Sequence, residues 1–203
     1  MGFFDSLFSS KDPTNVEVVP DKIWMTSDAK IAGLGKEVVE RSKSESVAIL
    51  LVAHFPDVLA RLGDVAEKQV ENVPVMAVLA SDLSLDIASN LNLDESATID
   101  IIVGERHLLP SVDERLEQFA NELPCHCRLS HHLSLEDPMM REFGGDWVHH
   151  VLEQLGMTED EAIESRMVSR RIKQAQQKIE GKASGSSKAE SAAEWLEKNC
   201  PGH

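Results

Sequence analysis

The chain has 203 residues and a formal charge of -15 at pH 7, from 20 Lys+Arg against 35 Asp+Glu. That charge argues against a sequence-independent nucleic-acid binder, which must displace phosphate counterions, and against docking to anionic lipid by charge alone. Tyr is absent and aromatics total 4%, which removes a base-stacking platform, while 42% hydrophobic residues suffice for a core.

Taken in chain order, residues 1–20 read as a flexible leader, broken by Pro13 and Pro20. Its first ten residues, MGFFDSLFSS, lack the basic start and apolar core of a signal peptide. They match the short Gly2…Ser6 acylation pattern, and Phe3, Phe4, Leu7 and Phe8 also suit a surface-docking segment. Lys22–Met25 reads as a short strand. Thr26 or Ser27 then caps a helix to about Ser42, with Ile31, Leu34, Val38 and Val39 on one face.

Ser46–Ala53 is a continuous apolar run, as expected of a strand covered on both faces in a parallel sheet. Its seven apolar residues are far short of the roughly 20 that a membrane span needs, so no integral membrane segment is expected. A helix follows over Pro56–Gln69, a strand over Val73–Leu79, a helix over Leu83–Leu91 and a strand over Ala97–Val103. Ser111 is read as the cap of a helix to about Asn121, and Cys125–Leu135 contains a further strand. Pro138–Phe143, Asp146–Leu155 and Thr158–Gly181 read as helices, the last charged nearly all round and therefore protruding. Gly181–Lys188 has the composition of a flexible linker, and Ala189–Asn199 is a short helix carrying Trp195 and Leu196. The alternation of strand and helix predicts an α/β domain with a mostly parallel sheet.

Few residues select a chemistry. Gly33-Leu34-Gly35-Lys36-Glu37 is not a phosphate loop: the first glycine is missing, Glu replaces Ser/Thr, and the stretch lies inside a helix pattern. Leu93-Asp94-Glu95-Ser96-Ala97 mimics an acidic ATPase box but precedes its strand, as a connector would. No Gly-x-Ser-x-Gly elbow exists. Cys125, His126 and Cys127, with His131 and His132 close behind, bring thiols and imidazoles together, the donors zinc prefers. Cysteine is also a common small core residue, and the odd total of three cysteines fits a reducing compartment rather than a disulfide framework. Asp137 reads as a helix cap with Pro138 at the first helical position.

The second half carries a resemblance. Leu133-Ser134-Leu135-Glu136-Asp137-Pro138-Met139-Met140-Arg141-Glu142-Phe143-Gly144 is similar to a signature of SecA, the ATPase motor of bacterial preprotein translocation. Leu155-Gly156-Met157, Ile163–Ile172 and Gln176–Gly181 resemble the start of that family's scaffold helix. Gly104-Glu105-Arg106-His107 resembles a Glu-Arg-His that follows a core strand of the second motor domain, and Ile23–Lys30 resembles the start of the same domain. The resemblance implies a RecA-like three-layer domain, P-loop NTPase-like without a P-loop, followed by a long helix. Its parts would be a leader at 1–20, a degenerate second motor domain at 21–157, a protruding helix at 158–182, and a linker with an amphipathic tail at 183–203.

The departures matter as much. The family's two catalytic arginines, which reach the γ-phosphate, fall on Phe119 and Glu122, and no Gly or Arg occurs in Leu83–Val103, where a nucleotide-contacting motif belongs. The first motor domain has no counterpart here. The expectation is a non-catalytic interaction module for protein partners, with translocase or a SecA-type motor as the candidates. It would act as an accessory or regulator of protein export, in the cytoplasm or peripheral at the membrane. No catalytic residue, cofactor or metal is expected. Two alternatives stay open: an ATPase half-domain completed in trans by a P-loop chain, and a metal or redox module using Cys125 and Cys127.

Overall fold

The computed structural model describes residues 15–68, 73–141, 161–164 and 166–201, with single positions at 154, 156 and 158. The SecA-like residues 142–144, 155 and 157, most of the helix expected over 146–155 and most of the leader lie outside the described residues.

Strands β1 (Val16–Val18), β2 (Lys22–Trp24), β3 (Ser46–Ala53), β4 (Val75–Leu79), β5 (Thr98–Val103), β6 (His126–Ser134) and β7 (Ile163–Glu164) form one sheet. The order is β4-β3-β5-β6-β2-β7, and β1 lies beside the first half of β6 while β2 lies beside the second. All pairings are parallel except β2 with β7. The stretch expected as a leader thus supplies a strand. Asn15 anchors it by donating its side-chain amide to the carbonyls of Leu123 and Cys125, at 2.7 and 2.8 Å.

Helices α1 (Ser27–Arg41) and α2 (Pro56–Glu67) cover one face. Leu34, Val38 and Leu62 pack there on Ile49, Leu51 and Ile102. A short turn at Ala80–Asp82, helix α3 (Asp86–Asn90) and helix α4 (Pro110–Glu122) cover the other face, with Leu116 and Ala120 of α4 on Leu50, Val52, Ile101 and Leu129. The central apolar runs are buried on both faces, as a parallel sheet between two helical layers requires. Thr26 caps α1 through its hydroxyl, which accepts from the Ala29 N–H at 3.1 Å. Pro110, not Ser111, opens α4: its fixed φ suits the first turn, and Leu109 stands at the cap without a side-chain bond. On α1, Val39 is 43% exposed, and the inward positions it was expected to share go to Lys30, Gly33 and Glu37. Gly33 sits against the Trp24 ring so closely that a Cβ would fall inside it.

The carboxyl end of the sheet is closed by α5 (Arg166–Glu180) and α6 (Ala192–Asn199). Both differ from the sequence reading. The helix expected from 158 starts at 166, because residues 163–164 pair with β2 instead. It does not protrude: Val168, Ile172, Ala175 and Ile179 form a buried stripe on Phe55, Leu108, Leu133 and Leu135. Nor is the tail loose. Trp195 and Leu196, both 3% exposed, join the same cluster. Asn199, 1% exposed, ties down the Gly/Ser stretch: its Oδ1 accepts from the Ser187 N–H at 2.7 Å, and its amide donates to the Ser187 carbonyl at 3.2 Å. Ser191 caps α6 by accepting from the Glu194 N–H.

Candidate functional site

In a doubly wound sheet, ligands bind at the carboxyl ends of the strands, where successive helices leave for opposite faces. Here that point lies between β3, which continues into α2, and β5, which continues into α4. The loop after β5 is Gly104-Glu105-Arg106-His107, the segment singled out in the sequence. Gly104 lets it close on α2, since a Cβ there would come within 2.9 Å of Val58.

Glu105 spans the crevice. Its Oε1 accepts from the backbone N–H groups of His54 and Phe55, both at 3.1 Å, and so satisfies donors at the start of α2. The carboxyl is 5% exposed, and burial pushes its pKa up to about 8 despite the nearby Lys30 ammonium. Lys30 itself is buried and donates to Asp137 Oδ1 at 2.8 Å. Asp137 occupies the cap position expected of it, its carbonyl accepting from Met140 and Arg141. Its carboxylate, however, turns back to the Ser134 N–H and hydroxyl and to Lys30 rather than to the helix.

A second buried network lies on the α4 side. Arg106 donates to Asp21 Oδ1 at 2.8 and 2.9 Å and to Asp113 Oδ2 at 3.3 Å. Asp113 also accepts from the His107 N–H and from the amide of Gln176, which fixes α5 to α4. His54 Nε2 lies 3.0 Å from Asp113 Oδ1. These contacts hold the Asp113 carboxyl well below its usual range against the cost of burial. His107 is stacked on Phe55 and edge-on to Trp195, and burial pulls its pKa down to about 4. His131, fully buried beside Arg106, is held neutral by the same desolvation.

On the α1 side, the Trp24 indole donates to His132 Nδ1 at 3.1 Å, and His132 Nε2 then donates to Glu37 Oε2 at 2.9 Å. Lys22 reaches the same carboxylate at 2.6 Å. Burial raises the Glu37 pKa, but His132 and Lys22 outweigh it and bring it to about 2. Sequence reasoning missed this chain of donors, because Glu37 was considered only as a departure from a phosphate loop and its partner His132 lies 95 residues further on.

The cysteine and histidine cluster does not assemble. Cys125 and Cys127 Sγ atoms lie 3.9 Å apart in the core under α4, and burial pushes both thiols up. His131 stands four residues from Cys127 along an extended strand, about 13 Å away. His132 faces α1 on the other side of the sheet. No group of three or more metal-ligating side chains occurs among the described residues.

Phe119 and Glu122 lie in the last part of α4, toward the amino end of β6 and away from this crevice. Phe119 packs on the apolar cluster and Glu122 faces solvent.

Two parallel-strand βαβ series wound in opposite senses, with helices on both faces, define an α/β domain of the RecA-like three-layer type. The chain is SecA-like. It is 30% identical over 186 residues to the protein translocase subunit SecA of Clostridium novyi, a match covering 80% of this chain and 22% of that protein. SecA of Clostridium botulinum (strain Eklund 17B) is 36% identical over 109 residues, covering 52% and 13%. SecA 1 of Alkaliphilus metalliredigens is 40% identical over 91 residues, covering 45% and 10%. The chain thus spans about a fifth or less of the length of these relatives. No protein-family model matches it. Among the described residues no helix is long and apolar enough to cross a membrane.

Proposed function

We propose that this chain is a non-catalytic SecA-like module that acts through protein contacts, as an accessory or regulator of protein export at the cytoplasmic side of the membrane. The supporting observation is the fate of the two positions at which the SecA likeness expects catalytic arginines. Phe119 packs on the core and Glu122 is an exposed acid. Neither side chain can stabilise the charge that develops during phosphoryl transfer, a task for cationic groups. Arg106, the His107 N–H, Asp113 and Gln176 are instead spent on one another, joining α4, α5 and the loop after β5. A partner surface remains on the outer face of α5, where Arg166, Arg170, Lys173 and Lys178 face solvent on an otherwise acidic molecule.

Two measurements test this. Capture of the intact protein from its own cells, read by quantitative mass spectrometry, should enrich translocase or SecA components; reproducible enrichment of unrelated proteins alone would end the export role. Calorimetry with ATP should show no binding tighter than about 1 mM. Hydrolysis that rises when the protein is mixed with a SecA motor would overturn the non-catalytic reading.

A further inference from the structure

We propose that the cavity at the carboxyl ends of β3, β5 and β6 is a binding site for a guanidinium or primary ammonium group. The cavity measures about 260 Å³ and lies between the first turns of α1 and α2, the Glu136–Pro138 turn and the start of α6. That is room for the end of a basic side chain or a small amine. Glu105 is one of its two buried charged lining residues, with Lys30 the other. One carboxyl oxygen of Glu105 is used by the two backbone donors, and the other takes no hydrogen bond from the described residues. A side chain 5% exposed, with an unpaired oxygen on a cavity, becomes an unfilled acceptor once it ionises.

The rest of the lining sets the sign of the ligand. Both cations present are engaged, Lys30 with Asp137 and Arg61 with Asp28, at 2.8 and 2.6 Å. The acids are not saturated. The Asp57 carboxylate accepts only from backbone N–H groups of its own turn, and Glu136 Oε2 only from the Ser27 N–H. Even with Glu105 protonated, Asp57, Glu136 and Asp137 outnumber the two cations, so the cavity is short of positive charge. A planar guanidinium, with several donors and a permanent charge, matches this better than any anion. The nearest charged groups facing Glu105 are Lys30 from α1, Asp57 from α2 and Asp137 from the turn after β6. A cation arriving among them favours the ionised form of Glu105, so binding at pH 7 expels a proton.

The test is calorimetry on the full chain at pH 7, in two buffers of different ionisation enthalpy. The probes are agmatine and a short capped peptide with one central arginine. The expected result is saturable one-to-one binding with Kd below about 1 mM. Release should approach about 0.9 proton per ligand, the protonated fraction of a group with pKa about 8. Glu105→Gln keeps the Oε1 acceptor for the backbone. It should abolish proton release and weaken binding at least tenfold, with its melting temperature at pH 6 no lower than wild type. Asp57→Asn, at the exposed rim, should weaken binding several-fold without altering the fold. Tighter binding of the peptide assigns the site to a partner's arginine, and tighter binding of agmatine assigns it to a small amine. No saturable binding by either probe, unchanged proton release in Glu105→Gln, or stoichiometric Mg²⁺ binding that excludes agmatine would overturn the proposal.

Discussion

The indole of Trp195 stands edge-on to the imidazole of His107, with ring centroids 5.7 Å apart and planes at 74°. The contact joins the last helix to the loop after β5, so the C-terminal segment completes the core instead of trailing from it. Trp195→Ala should cost about 3–5 kcal/mol, the usual range for a large buried aromatic. That corresponds to about 6–20 °C in Tm for a chain of this size. Deletion of 183–203 should cost at least as much, and thermal denaturation of both variants checks it.

The strand pattern was legible because both faces of the sheet are covered, so β3 reads as an unbroken apolar run and β5 as one broken only by Asp100. Their bounds match to within a residue. The start of α1, with Thr26 or Ser27 as its cap, was equally legible, since capping is a local signal, and Thr26 takes the role. What the sequence concealed was long-range. The dense charge on α5 hid the stripe at Val168, Ile172, Ala175 and Ile179. Three residues at 16–18 are too few to show a period. Ser184–Ser187 have linker composition, and only the distant Asn199 orders them. In the site, Glu105 was visible through the SecA likeness, but its unfilled oxygen follows from the meeting of two loops.

Gly33→Ala should destabilise the fold even though alanine is the better helix former by about 1 kcal/mol. The added methyl meets the Trp24 ring, which is itself held by its bond to His132. A shift in the Trp24 fluorescence together with a lowered Tm is the expected signature.

Acid should unfold the protein in two stages. His107, with a folded pKa of about 4, and His131 and His132, also lowered, are neutral in the fold but charge readily once unfolded. Their contribution is present above about pH 6.5 and is lost as pH falls below it. Glu37, lowered to about 2, adds stability above about pH 4.5 that disappears between that value and 2. Denaturant midpoints between pH 8 and 3 check the order, and Glu37→Gln should flatten the lower stage and, by removing the carboxylate beside His132, deepen the upper one.

Glu105 has the opposite sign. Its folded pKa of about 8 lies above the unfolded carboxyl value, so its contribution is present below about pH 4.5 and declines as pH rises toward 8. Glu105→Gln should therefore gain stability relative to wild type between pH 6 and pH 9. The gain reaches a few kcal/mol at most, at about 1.4 kcal/mol for every tenfold rise in proton affinity on folding. Equal slopes for the two proteins over that range would contradict it.

Cys125 and Cys127, 2% and 1% exposed with raised thiol pKa values, should resist thiol reagents in the native state and react fully in denaturant. Rapid native labelling would reopen a redox role for the pair.

The placement of β1 and β2 along β6 dictates an order of assembly on the ribosome. Val16 finds its partner at Cys127, about 110 residues further on. At ordinary translation rates that partner emerges roughly 5–20 s later. During that interval the opening strands have nothing to pair with, whereas β3, β4 and β5 can already zip together. These two strands are thus among the last to lock, and the sheet grows from its β4 edge across β6 toward β2 and β7.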